Sequence, residues 1–200
     1  MPEGQSATSQ QADARLISLA SERAVLACLM KEPAKMVDCS TKLEPDDFAG
    51  ENNRYLYQIM LSLFKKAGGK RCDYDITSLM EKARELGKEQ QFIESSGGKD
   101  QLDFLKTIKD SEGYVSLENF ETYTDNIHSL SVRRKMYENV EEFKERILDK
   151  EYSPEEILVS EQQELNNILT TRGADTEKIT NIGGLADDYL YNGIWVKKEI

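Results

Sequence analysis

The chain has 200 residues, with 26 basic against 37 acidic side chains and a net charge of −11; its mass is 22.8 kDa and its isoelectric point lies near 4.8. That is room for one ordinary domain, or one with an appendage. It holds no run of about 18 apolar residues to span a membrane and no basic-then-apolar leader for secretion, and its acidity disfavours a free-standing domain that neutralises DNA phosphates.

Cys28, Cys39 and Cys72 are odd in number and form no CxxC, and His128 is the only histidine. Neither a structural zinc site nor a redox pair nor a histidine-rich metal site is expected, and the thiols read as reduced and intracellular.

Residues 1–14 are small and polar and read as a disordered leader. Leu16, Leu19, Ala20, Leu26, Leu29 and Met30 recur by threes and fours, which predicts an amphipathic helix stopped by Pro33. Leu43 to Phe48 reads as a turn or one short helical turn. Residues 51–67 read as a helix with Tyr55, Leu56, Ile59, Met60, Leu63 and Phe64 inward, ended by Gly68-Gly69 as a left-handed cap. A further helix is expected from Asp75 to Leu86 with Ile76, Leu79, Met80 and Ala83 inward and Gly87 as its cap. Gly97-Gly98 breaks the chain, and Leu102, Phe104, Leu105 and Ile108 mark a short helix.

From Ser116 to Leu148 there is neither glycine nor proline. Phe120, Tyr123, Ile127, Leu130, Arg134 and Tyr137 form a heptad-like seam, continued by Val140, Phe143 and Ile147. A helix of about 33 residues would be roughly 50 Å long, more than a compact domain of this size needs, so part of it is expected to project. Ser153-Pro154-Glu155-Glu156 then combines an N-cap, a proline at N1 and a capping-box glutamate. It opens a helix carrying Ile157, Leu158, Leu165, Ile168 and Leu169, ending near Gly173. The short connection makes the two helices an antiparallel hairpin. A polar stretch leads to residues 179–200, where Leu185 and Tyr189 form a thin stripe suited to docking. The expected architecture is all-α: a leader (1–14), a helical head (15–112), a projecting hairpin (113–172) and a linker with its helix (173–200).

Catalytic motifs are not evident. Gly68-Gly69-Lys70 and Gly97-Gly98-Lys99 lack the GxxxxGK[ST] spacing and read as caps and turns. Asp46-Asp47, Glu141-Glu142 and Asp187-Asp188 are neighbours that point about 100° apart on a helix and read as solvated faces. Arg133-Arg134-Lys135 reads as paired with acidic neighbours such as Glu138 rather than with nucleic acid. What remains is surface. Two helices alone cannot bury Tyr123, Ile127, Leu130, Met136, Tyr137 and Phe143, and exposed apolar area of this kind marks a protein contact unless the head covers it.

Six segments in order resemble the N-terminal domain of the DnaB-type replicative helicases. Ser21 to Met30 (SERAVLACLM) is similar to that family's opening EQAVLGxLM helix. Leu43 to Phe48 (LEPDDF) resembles its L-x-P-x-D-F segment and is followed by an aromatic helix, Asn53 to Met60. Asp75 to Leu79 (DITSL) is similar to its D-[IL]-x-x-[LV] helix start, and Ser96-Gly97-Gly98 with Leu102 to Leu105 resembles its GG-x-x-YL turn. Asn119 to Tyr123, continuing to Arg133-Arg134, resembles its hairpin helix. The likeness covers residues 18–170 and, less closely, the linker helix; the glycine pair Gly183-Gly184 departs from it.

The resemblance implies a non-catalytic domain that pairs through its hairpins into dimers. Three such dimers form a collar on the hexameric motor of an ATP-dependent 5′–3′ helicase. It implies docking of the helicase-binding domain of primase, and of loaders, on those hairpins. The expected contact residues are Tyr123, Ile127, Leu130, Arg133, Arg134, Tyr137, Val140, Phe143, Ile157 and Leu165. Leu185, Tyr189 and Trp195 are expected to dock the linker on a neighbouring motor. No cofactor is expected in this chain; ATP, magnesium and single-stranded DNA fall to the motor, which these residues do not include. The expected setting is the cytoplasm of a bacterium, or of one hosting a phage. The alternative is a free-standing helical regulator that binds helicase or primase without being joined to a motor.

Overall fold

The computed structural model describes residues 14–70, 72–90 and 101–170. Among these the chain is all-α, with no strand. It divides into two compact units that part between Arg134 and Lys135. The first is the head and the second contains the hairpin.

Helix α1 (Leu19–Lys31) starts where the Ser18 hydroxyl accepts a hydrogen bond from the Ser21 amide at 3.3 Å. The start lies later than the periodicity predicts. Leu19 and Ala20 are exposed, and residues 25–30 are all buried. A helix buried on every side is central rather than amphipathic, and α1 packs on α3 (Glu51–Lys66) and α5 (Gln101–Asp110). The helix ends at Lys31, just before Pro33, as the sequence predicts; Pro33 then opens a separate 3-10 turn, Pro33–Lys35, where its missing N–H is harmless. The turn leads into α2 (Met36–Lys42), which buries Met36 and Cys39. Burial pushes the Cys39 thiol up to about 12.

A 3-10 turn at Pro45–Asp47 realises the expected short turn. Helix α3 buries Leu56, Tyr57, Ile59, Met60 and Phe64. Tyr57 stacks on Phe48 with centroids 4.6 Å apart, and its hydroxyl donates to the Leu43 carbonyl at 2.9 Å. Gly68 and Gly69 end α3 at φ +69° and +74°, the left-handed region where a side chain would be strained. Helix α4 (Ile76–Glu85) is capped by Asp75, which accepts from the Ser78 amide at 3.0 Å, and buries Leu79 and Ala83. Gly97 and Gly98 lie outside the described residues.

The long helix α6 (Phe120–Leu148) follows a 3-10 turn, Leu117–Asn119, so it begins four residues after Ser116. Its first half belongs to the head. The buried row is Phe120, Thr124, Ile127 and Ser131, and Arg134 continues the same i, i+4, i+7 spacing. Two hydroxyl residues thus hold places that the apolar seam predicts for Tyr123 and Leu130, which are half-buried beside the row. They are tolerated because each has a partner. Thr124 donates to the Glu121 carbonyl at 2.8 Å, and Ser131 donates to the Asp47 carboxylate at 2.7 Å.

Two buried carboxylates, each 1% exposed, organise the head. Glu22 accepts from the Ala49 amide at 2.8 Å, the Gly50 amide at 3.1 Å and the Asn53 side-chain amide at 2.7 Å. These donors surround the N-terminus of α3, where free N–H groups and the helix dipole favour an anion. Asp47 accepts from the Glu44 amide at 2.9 Å as well as from Ser131. The pair Asp46-Asp47 is therefore not a solvated face: Asp47 is turned inward because two donors await it.

Glu22→Ala removes the acceptor of three donors at once, so urea unfolding of the full chain should show a loss of roughly 3–5 kcal/mol. Gly50 is a second point of strict fit. A Cβ there would lie 2.7 Å from Asn53 Nδ2, 2.8 Å from Leu19 Cδ2 and 2.9 Å from Glu22 Oε2. Gly50→Ala should cost about 1–3 kcal/mol by overpacking, read in the same unfolding assay; an unchanged midpoint would contradict the packing described.

Candidate functional site

The second unit is built from the C-terminal half of α6 and from α7 (Pro154–Thr170). The predicted capping box is present. The Glu156 amide donates to Ser153 Oγ at 3.2 Å, and the Ser153 amide donates to Glu156 Oε2 at 2.9 Å. The bond from the Ser153 amide, with the Ser153 hydroxyl beside it, holds the Glu156 carboxyl below its usual range.

The seam between the two helices is polar. With its amide oriented to donate, Asn139 reaches both Glu161 oxygens at 2.7 and 3.1 Å. Arg146 donates to the Ser160 hydroxyl at 2.8 Å and forms an ion pair with Glu161 at 3.6 Å. Asn139 is buried and Ile157 supplies the buried apolar residue of α7. Asn139 and Arg146 are seven residues apart, two turns along one face of α6, and both meet α7 at Ser160 and Glu161.

With the seam polar, the apolar residues lie beside it. Met136, Val140 and Ile147 on α6, and Leu158 and Leu165 on α7, are between 43% and 64% exposed. Leu148, Tyr152 and Val159 are exposed as well.

The sequence-predicted contact residues separate into distinct groups. Ile127 lies in the head core at 2% exposure and has no surface to offer a partner. Tyr123 packs against the same core, and Leu130 is half-buried. Arg134 clamps the helix to the head, donating to the Leu16 carbonyl at 2.8 Å and the Asp47 carbonyl at 2.6 Å. Arg133 is exposed. In the hairpin, Ile157 is buried, Tyr137 and Phe143 are half-buried, and Val140 and Leu165 are exposed. Leu185, Tyr189 and Trp195 lie outside the described residues, as do Asp187 and Asp188. The predicted contact residues omit Ile147 and Leu158, which are exposed; Met136, one of the apolar residues that two helices alone cannot bury, is exposed too. The spacing 136, 140, 143, 147 is itself a helical row, and it was the signal available.

His128 is half-buried, with Nδ1 3.4 Å from the Lys42 carbonyl. Among the described residues, no group of three His, Cys, Asp or Glu side chains is placed to hold a metal ion. Glu22 and Asp47, the carboxylates buried most deeply, are both occupied by structural hydrogen bonds.

The model of one protein family, the DnaB-like helicase N terminal domain, matches residues 15–128, more than half of the chain. The chain belongs to that family. The likeness extends to the fold. The crystal structure of the N-terminal domain of DnaB helicase from Mycobacterium tuberculosis superposes with a TM-score of 0.60 at 18% identity, covering 75% of this chain and 97% of that one. No curated protein matches the sequence. The DnaB-like match ends at residue 128, inside α6, and takes in both buried carboxylates. The exposed apolar residues of the hairpin all lie beyond it.

Glu161→Ala in this DnaB-like chain should strip the buried Asn139 of its acceptor. We expect a loss of about 1–3 kcal/mol confined to the hairpin, seen as faster amide exchange over residues 135–168 with the head unchanged. Uniform exchange across both units would count against two separate units.

Proposed function

We propose that this chain serves a replicative DNA helicase as a non-catalytic assembly domain. Its hairpins bring copies together in a collar, as dimers and then three dimers around a hexameric motor, and receive primase or a helicase loader. The 5′–3′ unwinding activity, ATP, magnesium and single-stranded DNA belong in this reading to the motor. No GxxxxGK[ST] loop occurs in the 200 residues, and among the described residues no helix is long and apolar enough to cross a membrane.

One observation carries the proposal beyond family membership. The hairpin leaves Met136, Val140, Ile147, Leu158 and Leu165 in water. Apolar side chains grouped on one small unit are the ordinary mark of a protein contact. Losing that contact area on one side costs affinity without touching the folded core.

Sedimentation velocity at tens of micromolar tests the reading. The wild-type chain should sediment as a dimer or larger. The double substitution Val140→Asp, Leu158→Asp should weaken association at least tenfold, about 1.4 kcal/mol, with an unchanged far-ultraviolet spectrum. A wild-type chain that stays strictly monomeric, and that also fails to bind the helicase-binding domain of primase, would sink the proposal.

A further inference from the structure

The longest stretch of the chain without a carboxylate lies in the head. Asn52 to Cys72 is 21 residues with five cations and no acid, in a chain of net −11. It comprises most of α3 and the loop after it. Beside α3 is a cleft of about 490 Å³, whose other wall is formed by residues 40–45. Leu43, Pro45, Leu61 and Phe64 are its apolar lining. Leu43 and Phe64 belong to the buried core, so the cleft reaches down to it. Val37 is 50% exposed on α2, three residues before the cleft-lining Ser40, and extends the apolar surface at the rim.

The cations lie on the same side of α3 as the cleft. Arg54, Gln58, Leu61 and Lys65 are spaced i, i+4, i+7, i+11, within about 60° of one another at 100° per residue. Gln58, Leu61 and Lys65 line the cleft, and Arg54 continues their row one turn beyond it. Lys70 follows Gly69, where a Cβ would stand 3.8 Å from the Phe64 ring. Among the described residues no carboxylate forms an ion pair with Lys65 or Lys70, and Arg54 lies over the Tyr55 ring at 5.6 Å. The helix dipole accounts for lysines at the end of α3, but not for Arg54 near its start. Lys66 is turned about 100° from Lys65, toward α4, where it pairs with Glu85 at 3.4 Å. Of the carboxylates nearby, Glu51 accepts from the Tyr55 hydroxyl at 3.1 Å, and Glu44 lines the wall opposite α3.

We propose that this cleft docks an acidic peptide segment of a partner protein. One large apolar side chain sits over Leu43, Leu61 and Phe64, and carboxylates turn toward Arg54, Lys65 and Lys70. An apolar anchor supplies affinity, and complementary charge beside it supplies selectivity. A nucleic acid would match the cations but has no apolar side chain for the floor, and its run of phosphates would meet the net −11 of the whole chain. A short peptide meets the local cations, because more distant charges are screened beyond about 10 Å at 0.1 M salt. The cleft is built from head residues alone, so the inference stands apart from the assembly role of the hairpin.

The test uses the full chain and labelled 12-residue peptides, read by fluorescence anisotropy at 50 and 300 mM NaCl. The probe carries a phenylalanine and a leucine among aspartates. One control replaces the aspartates with lysines, a second replaces the two apolar residues with alanine, and a third is a single strand of 12 deoxythymidines. The probe should bind at least tenfold more tightly than any control at 50 mM and weaken severalfold at 300 mM. Arg54→Glu with Lys65→Glu should weaken it at least tenfold. Lys66→Glu, on the side facing α4, should leave it within twofold, and Val140→Asp with Leu158→Asp should leave it unchanged. A probe that binds no better than the lysine or alanine peptide, or than the oligonucleotide, overturns the inference, as do equal losses from Lys66→Glu and from Arg54→Glu with Lys65→Glu. Sedimentation of the Arg54→Glu, Lys65→Glu chain covers one more outcome. Self-association lost there, with no binding of the probe to the wild-type chain, would assign the cleft to a second copy and overturn the inference too. Failure of the probe leaves the assembly role of the hairpin untouched.

Discussion

Glu22 carries a carboxylate into the middle of the head, and the surrounding chain is arranged to keep that charge hydrogen-bonded. An isolated buried carboxylate is costly. Here three donors meet it, two of them amides at the start of α3. That single requirement sets several others. The connection after the 3-10 turn must bring residues 49 and 50 against α1, so residue 50 has no space for a side chain. Asp47, just before, must turn inward, and it does so by taking the Ser131 hydroxyl. Arg134 then closes on the Asp47 carbonyl. Three segments distant in sequence are thereby tied at one place, and the apolar core fills in around them.

The hairpin is held differently. Its internal contacts are polar and directional, through Asn139, Arg146, Ser160 and Glu161. Polar seams specify a register more than they add stability. By keeping its seam polar, the hairpin leaves Met136, Val140, Ile147, Leu158 and Leu165 exposed. The head does the reverse, burying its apolar residues and placing its key charges inside.

Much of this was legible in the sequence. Glycines at 68, 69 and 87, and the Ser153-Pro154-Glu155-Glu156 run, signal helix ends through chemistry that is local, and local chemistry survives folding unchanged. The resemblance to the DnaB-like domain rested on the same kind of short signals and agrees with the family match. What escaped was non-local. Asp47 looks solvated until Ser131, 84 positions away, is brought beside it. Arg134 looks like part of a basic run until the Leu16 carbonyl, 118 positions away, is found at its guanidinium. Ile127 and Val140 are alike in a helical period. Only the packing of the head decides that one is core and the other surface. Helix α2 escapes for a simpler reason: Pro33 does end α1, but a proline at the first position of a turn can also open new helical structure beyond it.

The reach of the Arg134 and Ser131 contacts also bears on how the chain is made. During synthesis the residues of α1 and of the 44–50 connection emerge first, with the Asp47 carboxylate still waiting for its hydroxyl. Phe120 and Ile127, which belong to the same core, arrive some seventy to eighty residues after Asp47. Contacts this distant in sequence form slowly and late. The nascent head must therefore persist as a partly covered intermediate until α6 appears. A ribosome pausing between residues 50 and 120 would prolong the interval in which the apolar residues of the head lack the cover that α6 brings.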